Sequence, residues 1–284
     1  MTHPLIELGG AAAGPLLVLL PANGFPPATY QPMLQPLFAT HRAVSLPPRA
    51  LWPDAGAPPP EPGSWQELAE DWLTGMRQHG LERAIVVGHS FGGVAALFAA
   101  VREPGRFQAL VLLDPTLLPA AALASVAEQR AKPGGNPDSR GLIKGALTRR
   151  DRFAGEPEAF AYWRSRPLFA DWSDAMLRRY TQAMLRPAAD GFTLAWPREW
   201  EAYYYASLST DSWDWVPRLS TGIPLLVVRG ERSDTFLAES AARLGELLPG
   251  AAQIMLPGRG HLFPQSAPGE TGTLLRAWLA ERGL

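Results

Sequence analysis

Four short apolar residues, Ala84-Ile85-Val86-Val87, run through Gly88-His89-Ser90-Phe91-Gly92-Gly93 straight into Val94-Ala95-Ala96-Leu97-Phe98-Ala99-Ala100-Val101. The first stretch is apolar and β-branched, as in a strand buried on both faces of a parallel sheet. The last is alanine-rich and favours a helix. A strand turns into a helix this sharply only with strained backbone at the central residue and almost no side chain on either flank, a demand that Gly88 and Gly92 meet. Such a turn lifts the Ser90 hydroxyl out of the sheet. It also aims the first free N–H groups of the helix at whatever reacts there. The strand before and the helix after distinguish a nucleophile elbow from a glycine-rich turn with an idle serine.

A serine hydroxyl is a weak nucleophile until a base removes its proton. The chain has five histidines. His3 lies in an N-terminal stretch expected to fray, His41 precedes a strand, His79 ends a helix, and His89 sits in the elbow with its side chain turned away from its neighbour's. His261 remains, in Leu256-Pro257-Gly258-Arg259-Gly260-His261-Leu262-Phe263. That glycine-rich loop follows the last expected strand, at the sheet edge where ligands meet chemistry in α/β folds.

Apolar runs at 16–20, 42–46, 84–87, 109–113, 224–228 and 253–256 read as strands, with 5–8 a further short one. Helical periodicity at 65–78, 94–101, 235–248 and 270–282 alternates with them. This alternation predicts a mostly parallel central sheet flanked by helices. Ser64-Trp65-Gln66-Glu67 reads as a capping box, after which Leu68, Trp72 and Met76 mark a buried stripe. Residues 47–63 hold seven prolines and no periodicity, so they read as a loop over the rim of the reactive face. The segment 116–218 breaks the alternation. It is arginine-rich and aromatic, with helices expected near 159–163, 175–185 and 200–208 and a mobile loop at 131–140.

The elbow, the strand order and the late histidine together resemble the α/β-hydrolase superfamily over nearly the whole chain. The resemblance implies a core of residues 1–115 and 219–284 carrying an inserted all-helical cap, 116–218. It also implies a triad in the chain order nucleophile, acid, histidine, with no metal and no cofactor. Asp234, in Arg229-Gly230-Glu231-Arg232-Ser233-Asp234, resembles the family's acid site and is the expected partner of His261. Asp114, after the preceding strand, and Glu231 are its rivals. The family's oxyanion loop usually carries His-Gly before the donating residue, whereas here Pro21-Ala22 precedes Asn23. Asn23 is therefore the expected first donor through its backbone N–H, with Gly24 or Phe25 as alternatives. The N–H of Phe91, the residue after the nucleophile, is the expected second donor.

Serine at the elbow favours hydrolysis of a carboxylic ester or similar acyl compound. The same machinery serves carbon–carbon bond hydrolases, thioesterases, lactonases and perhydrolases, and a non-hydrolytic ligand receptor is the reading of another class. Composition narrows the partners. The net charge of −1 offers no electrostatic ground for nucleic acid or an anionic membrane. No apolar run is long enough for a membrane span, and the absence of cysteine excludes a disulfide framework and a thiolate nucleophile. With no signal peptide evident, a soluble cytoplasmic protein is the expectation. Six of the ten tryptophans and five of the six tyrosines fall in 116–218, and Tyr203-Tyr204-Tyr205 cannot all face inward on a helix. The only lysines are Lys132 and Lys144. A neutral, medium-sized apolar or aromatic acyl substrate is the expectation. The sequence does not specify an oligomeric state.

Overall fold

The computed structural model describes residues 3–132, 138 and 141–284. The chain begins with β1 (Ile6–Gly10) and β2 (Leu16–Leu20), then a short helix α1 (Gln31–Leu34) and β3 (Arg42–Ser45). Next come α2 (Trp65–Gln78), β4 (Ala84–His89), α3 (Phe91–Arg102) and β5 (Phe107–Leu113). After a long excursion, β9 (Leu225–Gly230), α10 (Ala238–Leu247), β10 (Ala252–Leu256), α11 (Phe263–Ser266) and α12 (Pro268–Ala280) complete the order. The strands form one seven-stranded sheet in the order β1-β3-β2-β4-β5-β9-β10. Only β1 runs antiparallel to its neighbour.

Burial explains the sequence patterns. Every residue of β4 is buried, and so is α3 from Phe91 to Ala100, so a helix apolar all round is what this position requires. In α2, Leu68, Ala69, Trp72, Leu73 and Met76 face the core. Ser64 Oγ accepts from the Gln66 N–H, while the Glu67 carboxylate accepts from Tyr203 Oη at 3.4 Å instead of closing a reciprocal box. His3 is not frayed: it is buried and its N–H donates to Gln78.

The excursion between β5 and β9 lies outside the main sheet. It contains α4 (Ala120–Ala131), α5 (Leu142–Thr148), β6 (Arg152–Phe153), α6 (Glu156–Arg164), α7 (Asp174–Met184), β7 (Leu185–Ala188), β8 (Gly191–Leu194), α8 (Arg198–Ala206) and α9 (Ser212–Trp215). The expectation of an all-helical insert is therefore corrected, because β6, β8 and β7 form a three-stranded antiparallel sheet. Asp190-Gly191 turns β7 into β8, with Gly191 at φ +109°, and Pro187 sits on an outer strand where no ladder donor is missed. Of the loop expected at 131–140, residues 133–137, 139 and 140 lie outside the described residues. Among the described residues, no helix is long and apolar enough to cross a membrane.

Candidate active site

Ser90 stands between β4 and α3 at φ 59° and ψ −124°, a conformation that non-glycine residues rarely adopt and that sheet and helix together impose. The residues two before and two after it must be glycine for lack of room. A Cβ on Gly92 would lie 2.5 Å from the Pro21 carbonyl oxygen, and one on Gly88 would lie 2.7 Å from the Gly92 carbonyl oxygen. The Ser90 N–H donates to the Leu113 carbonyl at 3.1 Å, tying the turn to the end of β5.

His261, in the loop after β10, reaches back across the sheet edge. Its Nε2 is 3.0 Å from Ser90 Oγ and its Nδ1 is 2.7 Å from Asp114 Oδ2. The imidazole is one-fifth exposed and the Asp114 side chain is wholly buried. The expected acid thus needs correcting, since the carboxylate brought to His261 belongs to Asp114 and not to Asp234. Both ring nitrogens are engaged, which leaves Asp234 no place in the series. The loop after β9 holds the Asp114 carboxylate: the Gly230 N–H donates to Asp114 Oδ1 at 2.9 Å, and the Ser233 hydroxyl donates to Oδ2. Asp234 accepts from the Thr235 hydroxyl at 3.2 Å and lines the cavity beside Ser90. Glu231 is exposed and accepts from the Gly258 N–H.

Thr116 is a neighbour that sequence reasoning missed. Its Oγ1 lies 3.1 Å from Ser90 Oγ, and its N–H donates to the Ser90 carbonyl at 3.2 Å. Three residues of separation from an expected strand end is the only signal that pointed to it.

The loop after β2 meets the elbow from the other side. The Ala22 N–H donates to Tyr30 Oη at 2.8 Å, and the Phe25 N–H donates to the Ala22 carbonyl at 3.1 Å, which removes Phe25 as a donor to a ligand. The Phe25 ring packs instead against Trp172 and Tyr180 of the insert. Gly24, at φ +82°, is absent from the cavity wall, whereas Asn23 and Phe91 line it with Ser90. Phe91 opens α3, so its N–H has no acceptor within the helix. The Asn23 amide donates to the Glu201 carbonyl of α8 at 2.9 Å. Glu201 is itself buried and paired with Arg149 at 2.5 Å. Burial pushes its carboxyl above the usual range, with Arg149 opposing. The loop, lacking the expected His-Gly, is thus held by Tyr30 and by the insert.

Over these groups opens a cavity of about 260 Å³. Its walls are mainly apolar, with Trp65, Phe91 and Leu262 from the core and Leu118, Val126, Ile143, Leu168, Tyr205 and Leu208 from the insert. Among the described residues no lysine or arginine lines it, and its charged groups are Asp138 and Asp234 beside the histidine. Of the tyrosine triplet, Tyr204 is buried and Tyr205 faces the cavity, as the helical spacing requires. The proline-rich segment 47–63 contributes nothing to the wall. It packs on α8, with the Ala50 N–H on Tyr204 Oη and the Trp200 indole N–H on the Gly56 carbonyl.

The sequence model described as "Alpha/beta hydrolase family" matches residues 17–272. A protein of Caulobacter segnis bearing the name carbamate hydrolase RutD is 34% identical over 107 residues, 37% of this chain and 40% of that one. Its counterpart in Caulobacter sp. (strain K31) is 27% identical over 92% of this chain and 89% of its own length. The polyketide synthase ThaQ of Burkholderia thailandensis is 28% identical over 92% of this chain, which spans 12% of that much longer protein. Among solved structures, E-2-(acetamidomethylene)succinate hydrolase superposes with a TM-score of 0.79 at 20% identity, covering 97% of this chain and 94% of its own.

Proposed function

The chain belongs to the alpha/beta hydrolase family, and on that premise we propose that it is a serine hydrolase cleaving a carboxylic ester or related acyl compound through an acyl-enzyme. One observation carries the reading: an unbroken series from Ser90 Oγ through His261 to Asp114, opening on an apolar cavity. His261 Nε2 takes the hydroxyl proton as Ser90 Oγ bonds to the acyl carbon, while Asp114 holds the ring and stabilises the imidazolium. The negative charge gathering on the carbonyl oxygen is met by the N–H groups of Asn23 and Phe91. Collapse expels the alcohol, which receives the proton from His261. Water then enters, gives its proton to the same nitrogen, and releases the acid and free Ser90 by the reverse steps. The full-length similarity to RutD favours a carbamate as a second reading. It would follow the same course with a leaving nitrogen in place of the oxygen.

The lining supports a neutral acyl group of medium length. Each buried methylene contributes about 0.8 kcal/mol, so two more should raise kcat/KM by roughly tenfold until the cavity is filled. The test is a series of p-nitrophenyl esters from acetate to decanoate, run beside a dicarboxylate monoester and an N-alkyl carbamate. A rise followed by a plateau is expected. A steady fall from acetate, or a strong preference for the charged ester, contradicts the apolar substrate.

A further inference from the structure

Behind the elbow, a chain of hydrogen bonds joins the loop after β2 to the loop that carries the base. Neither of its side chains touches the cavity. The Ala22 N–H meets Tyr30 Oη at 2.8 Å, Tyr30 Oη meets His89 Nδ1 at 2.7 Å, and His89 Nε2 meets the His261 carbonyl at 3.0 Å. Tyr30 and His89 are both fully buried.

With His89 neutral, the two ends fix every proton between them. A carbonyl oxygen only accepts, so His89 Nε2 carries a hydrogen and donates it to His261. A neutral imidazole then presents a bare Nδ1, which must accept the Tyr30 hydroxyl proton. Tyr30 Oη, having given that proton, accepts from the Ala22 N–H. One arrangement satisfies all the groups, and it holds only while His89 is neutral. Burial, and next to it the neighbouring His261 ring at 4.9 Å, press the His89 imidazole well below its ordinary range. Its bond to the His261 carbonyl works the other way.

We propose that Tyr30 and His89 are positioning residues that lock the oxyanion loop and the backbone of His261 to one another across the elbow. The inference rests on the reading of Ser90, His261 and the Asn23 N–H given above. Ala22 is bonded directly to Asn23, so the anchor on its N–H lies one residue from the donor. The other end of the chain grips the residue whose ring must meet Ser90. A break anywhere leaves buried polar groups unpaired and frees two catalytic parts at once. Misplacement by about 1 Å can cost on the order of 10²-fold in rate.

The test combines variants with a spectroscopic measurement on the unaltered protein. Tyr30→Phe keeps the ring but removes the link, and should lower kcat about 10- to 100-fold with KM within about twofold. His89→Asn should do the same, and the double variant should lose no more than the worse single one, because both break one chain. Thermal unfolding of each variant separates loss of fold from loss of rate. In the unaltered protein, ¹⁵N spectra should show His89 with hydrogen on Nε2 and bare at Nδ1 at neutral pH. Full activity in Tyr30→Phe, losses that multiply in the double variant, or the opposite tautomer overturns the proposal. Ser90→Ala, run alongside, tells two failures apart. If it keeps turnover, the reading of the site falls and this inference with it. If it is dead while Tyr30→Phe runs at full rate, only the inference falls.

Discussion

Asp114 has a positive φ of 43° immediately before Pro115, in a region that aspartate tolerates better than most residues. Its N–H is held by the Val228 carbonyl at 2.7 Å, and its carboxylate accepts from Gly230, Ser233 and His261. Asp234 follows β9, one strand further from the elbow in the sheet order, and is exposed at the cavity edge. Asp114→Asn should therefore reduce kcat/KM on the best ester by on the order of 10⁴, because an amide cannot stabilise the imidazolium. Asp234→Asn should stay within about threefold of the unaltered protein, since it removes a charge from the wall and nothing from the proton path. Steady-state kinetics on both variants decides it, with the reverse ranking restoring Asp234 as the acid. Locally the two residues carry the same signal, an aspartate just beyond an apolar strand. What separates them is which strand neighbours β4, a long-range fact that no local pattern encodes.

The strand–turn–helix element was legible because its requirements are local. Small residues at 88, 92 and 93 allow β4, α3 and the end of β2 to meet backbone to backbone. A Cβ on Gly92 would stand 2.5 and 2.6 Å from the carbonyl oxygens of Pro21 and Leu20, neither of which can yield as a side chain does. Gly92→Ala should cost about 1–3 kcal/mol or more of stability by overpacking, and should cut activity by displacing the loop that leads to Asn23. Gly105→Ala is the control, as nothing among the described residues lies within 4 Å of its added carbon. Urea denaturation of both variants checks the contrast, and equal stability would mean that the elbow is looser than its geometry. Helix α7 was similarly readable, its Met176, Tyr180 and Met184 all buried and its Ser173 side chain capping the Met176 N–H. The strands β6, β7 and β8 were not readable. They span two to four residues each, and pairing within the insert rather than periodicity makes them strands.

Across the whole molecule, the insert both walls the cavity and holds the loop after β2. Phe25 is embedded among Trp172 and Tyr180, and Asn23 hangs from the backbone of α8. The sheet supplies Ser90, Asp114 and His261 from the ends of three of its strands, and the insert closes over them with apolar side chains. On the proposed reading, this assembly activates one serine for attack on an acyl centre. Intact-protein mass spectrometry during exposure to a fluorophosphonate tests it most directly, because the reagent is captured only by a hydroxyl with a working base. One adduct per chain is expected, located on Ser90, absent from Ser90→Ala and formed far more slowly in Asp114→Asn. No adduct at saturating reagent, or one that persists in Ser90→Ala, would contradict it.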